Sequence, residues 1–192
     1  MKYLLSRRWL AAGIAIFGTG FAQIASADII LSEVMTNNVT TLLDEDGESP
    51  DWIELHNDGD AAVDLGGYFL TDDDDDLNKW VLPAVELAAD GYLIIFASGK
   101  DRGGAGTELH ANFQLKNGGE FLALVNPDKT TILDQFDPEI PQLSEDESYG
   151  VRASGDLWVL NFFSSPTPDE ATGRGQVAEA VALASSGQAF TD

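Results

Sequence analysis

Residues 28–163 consist of short apolar runs, each closed by residues that favour turns. The separators are clusters such as "NDGD", "AADG", "KNGG" and "NPDK", whose Gly, Asp, Asn and Pro residues supply turn geometry. Because the runs recur at short intervals without helical periodicity, they predict an all-β chain that folds as one sandwich or barrel domain. The predicted strands span 28–35, 51–57, 61–65, 68–72, 79–83, 92–98, 108–113, 120–126, 131–136, 147–151 and 157–160.

Alternation within the second run assigns its side chains to faces. In "DWIELHN", Ile53 and Leu55 point to one face of the strand. Trp52, Glu54 and His56 point to the opposite face.

Three other stretches carry specific expectations. "YLIIFAS" at 92–98 is apolar almost throughout, which predicts a central strand covered on both faces. Residues 120–136 predict a hairpin whose turn is 126–129, "NPDK". The glycines of "DLGGY" at 64–68 predict turn positions with positive φ or close backbone approach.

The first 27 residues have the features of a secretory signal peptide. Lys2, Arg7 and Arg8 give a basic start, residues 9–22 are apolar and small, and 25–27 fit the small-x-small cleavage pattern. A membrane anchor is disfavoured because the run is shorter than the roughly 20 residues that a spanning helix needs. We therefore expect a secreted or cell-envelope protein, and "SRRWL" leaves the general and twin-arginine export routes open.

Residues 164–192 differ in composition from the predicted strands. "SSPTPDEATGRGQ" is rich in Pro, Gly and polar residues, which predicts a linker. The stretch "VAEAVALASSGQAFTD" that follows is interpreted as a tail or as the start of a further module.

Charge and cysteine content exclude several function classes. The first 27 residues hold three of the ten basic residues and none of the 33 acidic ones, so residues 28–192 carry 33 acidic and 7 basic side chains, a net charge of −26. Such a charge repels nucleic-acid phosphates and anionic lipid headgroups, so we expect neither nucleic acid nor membrane as a partner. The absence of cysteine excludes disulfides, thiolate metal sites and a cysteine nucleophile.

Several motifs occur in the order typical of one family. "ILSEVM" is followed by "DWIELHNDGDAAVDLGGYFLTDD" with Glu54 and Asn57 in an E-x-x-N element, then by "GYLIIFASG", an "NFQL…GE" element from Asn112 to Glu120, and "SPTPDEATG". Over residues 28–170 this order resembles the lamin-tail domain in its bacterial secreted form. The resemblance implies an immunoglobulin-like β-sandwich that has no activity of its own and often lies beside catalytic or adhesion modules. The nuclear role of animal members is not carried over, because the signal peptide and the negative charge do not suit it.

Two acidic clusters are candidate calcium sites, since hard cations prefer several carboxylate and carbonyl oxygens. Neither fits the EF-hand loop, because with Asp44 at position one, position six is Ser49 and position twelve is Leu55. The alternative for both clusters is a solvated acidic loop. The candidate metal ligands are Asp44, Asp46, Glu48 and Asp51 in the first cluster, and Asp72, Asp73, Asp74, Asp75 and Asp76 in the second.

No motif in the sequence supports catalysis. There is no G-x-S-x-G elbow, and the glycine-rich 98–106 lacks the phosphate-loop pattern and is interpreted as a flexible loop between strands. His56 and His110 have no second histidine at metal-binding spacing, so both are interpreted as half-buried sheet residues. We expect no enzyme activity and no cofactor other than calcium.

Three tryptophans are the candidates for a carbohydrate platform, although packing within the sandwich is the more common use of aromatic residues. They are Trp52, Trp80 and Trp158.

Three functions remain open. The first is a secreted, non-catalytic immunoglobulin-like module that mediates protein–protein or cell-surface contact. The second is a calcium-dependent module that binds polysaccharide or protein, and the third is an accessory domain of a larger secreted enzyme. The partner is then an unknown protein or a surface polysaccharide, and the sequence does not predict the oligomeric state.

Overall fold

The computed structural model describes residues 29–154 and 157–170, with side chains described except for 153–158. These residues form twelve strands and no helix. The strands are β1 (Ile29–Met35), β2 (Trp52–Asn57), β3 (Val63–Asp64), β4 (Phe69–Thr71), β5 (Trp80–Val81), β6 (Glu86–Leu87), β7 (Tyr92–Phe96), β8 (Leu109–His110), β9 (Ala123–Val125), β10 (Ile132–Gln135), β11 (Ser148–Ser154) and β12 (Leu157–Phe163). The predicted signal peptide and residues 171–192 lie outside the described residues.

The strands form two large sheets and one small ribbon. One sheet has six strands in the order β12-β11-β1-β2-β7-β8, and the other has four in the order β10-β9-β4-β5. A two-stranded ribbon pairs β3 with β6. All pairs are antiparallel except β7 with β8. In the part of the chain that the structure describes, no helix is long and apolar enough to cross a bilayer.

The main core lies between the two large sheets. Leu31, Ile53 and Ile95 enter it from the six-stranded sheet, and Leu70 and Leu124 enter it from the four-stranded sheet. All five side chains are fully or almost fully buried. Apolar residues of both sheets therefore exclude water from one shared layer, which confirms the predicted β-sandwich.

The outer face of the six-stranded sheet is covered as well. Met35, Trp52 and Phe96 form a second buried cluster, against which Leu42 of the β1–β2 loop packs. The alternation assigned to β2 is correct, but its second face is also removed from solvent. Trp52 and Trp80 are buried, so neither is part of a carbohydrate platform. The side chain of Trp158 lies outside the described residues.

Strand β7 does not have the central position that its composition predicts. It lies between β2 and β8, and the ladder with β8 joins only Ile95 to Leu109 and Phe96 to His110. The first three residues of β7 are half-buried. The expectation of a strand covered on both faces is therefore wrong for its first half, because these three residues each remain partly exposed to solvent.

The predicted turns agree with the structure. Strands β9 and β10 form the expected hairpin, closed by a hydrogen bond of 2.9 Å from the Asn126 N–H to the Thr131 carbonyl. At "DLGGY", Gly67 has a φ of 87°, and a Cβ on Gly66 would lie 3.2 Å from the Cα of Ala84. Both glycines are therefore required where the chain leaves β3.

Candidate functional site

A groove opens on the outer face of the six-stranded sheet, beside the β1–β2 loop. Its volume is about 600 Å³, within the usual range of ligand pockets. We call it the outer groove and define it by an apolar floor and an acidic rim. Ile94 and Phe96 of β7 form the floor, Leu43 of the β1–β2 loop lies beside them, and the rim carries Glu45, Glu108 and Asp169.

The β1–β2 loop that walls the groove is held by side-chain hydrogen bonds. The Asn38 amide donates to the carbonyls of Leu42 and Pro50, both at 2.7 Å. The Asp146 carboxylate accepts from the Thr40 N–H at 2.8 Å and from the Thr40 hydroxyl at 2.6 Å. These bonds lower the pKa of Asp146, because they stabilise its charged form. The groove wall therefore has a fixed conformation.

Three of the four candidates in the first acidic cluster surround a lysine. The Lys100 ammonium lies 2.5 Å from Asp44 Oδ2, 2.6 Å from Asp46 Oδ2 and 2.8 Å from Glu48 Oε2. Burial acts to raise the pKa of Asp44, but the hydrogen bond from Lys100 and those from two backbone N–H groups outweigh it, so this pKa is lowered. The loop 98–106, which the sequence predicts to be flexible, thus supplies the cation that these carboxylates hold. Arg102 adds contacts to Asp46 and Glu45.

The fourth candidate, Asp51, does not join this cluster. Its Oδ1 accepts a hydrogen bond of 3.1 Å from the Asn38 N–H. Burial raises the pKa of Asp51 to about 6, and the hydrogen bond from Asn38 only partly offsets this effect. Asp51 therefore anchors the β1–β2 loop instead of facing the other three carboxylates.

The second acidic cluster forms the turn between β4 and β5. Asp72 pairs with Lys79 at 2.6 Å, which separates it from the others. The carboxylates of Asp73, Asp74 and Asp75 offer oxygens that lie within 4.8 Å of one another. The Asp76 carboxylate instead accepts from the Asn78 N–H at 3.2 Å. Three of the five predicted ligands are therefore close enough to share one hard cation.

A third group of possible ligands was not recognised in the sequence. Glu45, Glu108 and His110 present ligand atoms within 4.8 Å of one another. Burial lowers the pKa of His110, and the positive charges of Arg102 and Lys100 lower it further. The spacing Glu108-x-His110 in a predicted strand places both side chains on one face, so this pair could have been found from the sequence. Glu45 comes from a distant loop and could not.

Two buried carboxylates hold the segment that follows β12. The Glu54 Oε1 accepts from the Ser32 hydroxyl at 2.6 Å, and its Oε2 accepts from the Asp169 N–H at 2.6 Å. Glu33, its neighbour across the β1–β2 ladder, accepts from the Thr167 hydroxyl at 3.0 Å. Burial raises the pKa of Glu54 to about 8, and burial also raises the pKa of Glu33. Sequence reasoning missed this role, because it requires knowing where residues 164–170 pack.

Comparison with known families assigns the chain. The profile of the Lamin Tail Domain family matches residues 22–139, which is more than half of the sequence. Comparison with curated proteins and with solved structures finds no match. The matched region contains the E-x-x-N element, in which the Asn57 amide donates to the carbonyls of Ala61, Leu87 and Ala88 at 2.8 to 3.1 Å. Because the family profile matches more than half of the sequence, and because the two packed β-sheets agree with its immunoglobulin-like fold, the chain belongs to the lamin tail domain family.

Proposed function

We propose that this chain is an exported, non-catalytic binding module that holds an extended segment of a partner protein in the outer groove. The observation that carries the proposal is the apolar lining of Leu43, Ile94 and Phe96 beside the carboxylates of the rim. Membership in the lamin tail domain family supports an interaction module. Export rests on the composition of residues 1–27.

The chemistry of the groove indicates the kind of segment that it binds. Apolar floor residues select aliphatic or aromatic side chains, and Leu43 is 56% exposed, so it is available for contact. The carboxylates of Glu45, Glu108 and Asp169 favour Lys or Arg on the partner. We therefore propose a partner segment in which apolar and basic residues alternate.

The edge of the six-stranded sheet supports an extended conformation for this segment. The ladder between β7 and β8 begins at Ile95, so Leu93 and Ile94 lie at the edge of the sheet beside the groove. A peptide that adds a strand to a sheet edge gains main-chain hydrogen bonds, while its alternate side chains enter the adjacent pocket. The groove and the edge thus suit the same ligand geometry.

Peptide binding to the full chain tests this proposal. The probes are fluorescent peptides that alternate apolar residues with Lys, and control peptides in which Lys is replaced by Glu. We expect only the basic peptides to raise the fluorescence anisotropy, with an affinity that falls as salt screens the carboxylates.

Two variants locate the binding surface. Leu43→Lys places a positive charge in the groove and should weaken the basic peptides by about tenfold or more. Val81→Lys is the matched control, because Val81 is 52% exposed but lies on β5 of the other sheet. Equal binding by the two variants, or no difference between basic and acidic peptides, would show that the groove is not the site.

A calcium-dependent module is the second candidate. It is favoured by the closeness of the Asp73, Asp74 and Asp75 carboxylates in the β4–β5 turn. A polysaccharide partner receives less support, because Trp52 and Trp80 are buried and offer no stacking surface. Either kind of module can also serve as the accessory domain of a larger secreted enzyme.

A further inference from the structure

We propose that Glu45, Glu108 and His110 bind a divalent transition-metal ion, and that zinc is the ion their donor atoms fit. The three side chains come from the β1–β2 loop, the end of the β7–β8 loop and strand β8. One ligand atom from each lies within 4.8 Å of the other two. Glu45 and Glu108 also lie on the rim of the outer groove, so a bound ion competes there with the basic side chains of a partner segment. The ion itself needs no partner segment.

His110 is the residue that requires an explanation. Its side chain is 0% exposed, and its ring stacks on Phe96 with 5.3 Å between centroids. Its Nδ1 lies 2.9 Å from the Ser98 hydroxyl. Its Nε2 is buried and has no hydrogen-bond partner among the residues that the structure describes. An unsatisfied buried polar atom costs about 1–3 kcal/mol, so each one calls for an explanation such as a bound ion or water.

Ser98 can pair with either tautomer of His110, and one of the two suits a metal ion. The Ser98 Oγ already accepts a hydrogen bond of 3.3 Å from the Lys100 N–H. In the tautomer with the proton on Nδ1, the second lone pair of the hydroxyl oxygen accepts from Nδ1–H, and in the other tautomer the Ser98 hydroxyl donates to Nδ1 instead. With the proton on Nδ1, the lone pair of Nε2 points towards the carboxylates. This is the arrangement of metal-bound histidines, whose other ring nitrogen is held by an oxygen acceptor.

The carboxylates around Nε2 leave a gap that an ion can fill. Glu108 Oε2 lies 3.8 Å from Nε2, which is too long for a hydrogen bond. The same oxygen accepts from the Glu45 N–H at 2.6 Å, so its position is fixed. In a tetrahedral zinc site, two ligand atoms about 2.0–2.1 Å from the metal lie roughly 3.4 Å apart. A closure of a few tenths of an ångström therefore brings Nε2 and Oε2 to the separation of two ligands on one zinc ion. The Glu45 oxygen, which lies within 4.8 Å of both, moves inward to complete the set, with water as a fourth ligand.

Local charge favours a cation despite the two basic residues nearby. Lys100 and Arg102 are outnumbered by five carboxylates in direct contact with them or with His110. Lys100 occupies the neighbouring cluster of Asp44, Asp46 and Glu48, so that cluster does not compete for the ion. Arg102 contacts Glu45 Oε1 at 3.1 Å, and the second carboxylate oxygen of Glu45 remains as a ligand.

The donor set distinguishes zinc from calcium. One imidazole nitrogen and two carboxylates suit borderline ions such as zinc, whereas calcium takes six to eight oxygen ligands. Other divalent ions of the first transition row share this preference, with affinities that follow the usual order up to copper. Cobalt is therefore a suitable spectroscopic substitute in the same site.

Zinc binding is tested on the full chain after treatment with a chelator. Isothermal titration with zinc chloride is expected to give one strong site per chain. Long-range ¹⁵N correlation spectra should show a shift of one imidazole Nε2, and this shift should persist in His56→Gln, because the chain has only two histidines. Cobalt should give the visible absorption of a low-coordinate site.

Conservative variants separate the ligands from the surrounding acidic surface. Glu108→Gln and Glu45→Gln should each weaken zinc binding by about tenfold or more. Ser98→Ala should weaken it by about 10–100-fold, because it removes the hydrogen bond between the Ser98 hydroxyl and His110 Nδ1. Glu86→Gln, an exposed change of equal charge on β6, should leave it unaltered. Circular dichroism confirms that each variant is folded. Zinc affinity that is equal in Glu108→Gln, Glu45→Gln and Glu86→Gln, or a His110 signal that does not move, would overturn the site.

Discussion

At the scale of single residues, the two buried glutamates are the least expected feature of the chain. Glu33 and Glu54 face each other across the β1–β2 ladder, and both are fully buried. A strand with alternating apolar and polar residues normally exposes the polar face to water. Here the segment that follows β12 covers that face, and its Thr167 and Asp169 donate to the carboxylates. Alternation predicts the face of the sheet to which the Glu54 side chain points, but it does not predict that the segment after β12 covers this face.

The raised pKa of Glu54 makes the stability of the fold depend on pH. Burial raises this pKa from 4.5 to about 8, so between these values the folded chain holds a proton that the unfolded chain releases. The stability contributed by the protonated carboxyl is complete below about pH 4.5 and is lost as the pH rises towards 8. Glu54→Gln mimics the neutral form, so it should lose less stability over this range.

Chemical unfolding between pH 5 and pH 8.5 measures this effect. At pH 8.5 we expect Glu54→Gln to exceed the native chain in free energy of unfolding by an amount on the order of 1–3 kcal/mol. Glu145→Gln, at an exposed glutamate, should follow the native pH profile. Parallel profiles for Glu54→Gln and the native chain would mean that Glu54 is ionised and well solvated throughout.

At the scale of strands and loops, local patterns predict the position of every described strand except β6, although the short strands are shorter than the predicted runs. Strands β1, β2 and β10 match runs with clear apolar or alternating character, and the β9–β10 turn follows from "NPDK". Strand β6 was not predicted, because it consists of two residues whose only ladder partner is the equally short β3. Whether such a short segment forms a strand depends on its pairing with a distant segment, and the local sequence carries little information about that pairing.

The acidic loop 44–48 shows the same dependence on a distant segment. Its carboxylates are suitable calcium ligands by residue type, but Lys100 lies among them. The sequence does not predict the contact of loop 98–106 with residues 44–48, since nothing local connects the two segments. The Lys100 ammonium supplies one positive charge, half of what calcium would bring, and it lies among the three carboxylates that calcium would need. Calcium binding at this loop therefore requires Lys100 to leave.

Replacement of Lys100 tests whether this ammonium takes the place of a cation. Lys100→Met leaves the buried Asp44 without its main partner, so the free energy of unfolding in chelator should fall by about 2 kcal/mol, between the values typical of exposed and buried pairs. Calcium should then stabilise the variant through the 44–48 loop. In the native chain, any rise of the midpoint with calcium at fixed ionic strength should instead disappear in Asp74→Asn.

Thermal unfolding with calcium, magnesium and excess chelator distinguishes these cases. A calcium response of the native chain that is lost in Asp46→Asn but kept in Asp74→Asn would show that the 44–48 loop binds calcium despite Lys100. Unchanged stability of Lys100→Met in chelator would show that the ion pairs at this loop contribute nothing measurable.

At the scale of the whole molecule, the sandwich extends beyond the residues that the family profile matches. The family match ends at residue 139, but β11 and β12 follow it and complete the six-stranded sheet. Strand β11 pairs with β1, and it approaches so closely that a Cβ on Gly150 would lie 2.3 Å from the Ser32 carbonyl oxygen. Phe163 at the end of β12 is fully buried. The core is therefore closed by strands that lie outside the matched residues 22–139.

Truncation tests whether these two strands are part of the folding unit. A chain of residues 29–170 should unfold cooperatively, with a midpoint close to that of the full chain. A chain of residues 29–139 leaves β1 as an open edge and loses Phe163, whose burial alone contributes about 1.5–3 kcal/mol. Since a domain of this size is stable by only about 5–15 kcal/mol, we expect the shorter chain to lack a cooperative thermal transition. A calorimetric midpoint within a few degrees of the full chain would instead show that residues 29–139 fold on their own and that β11 and β12 are an addition to a complete sandwich.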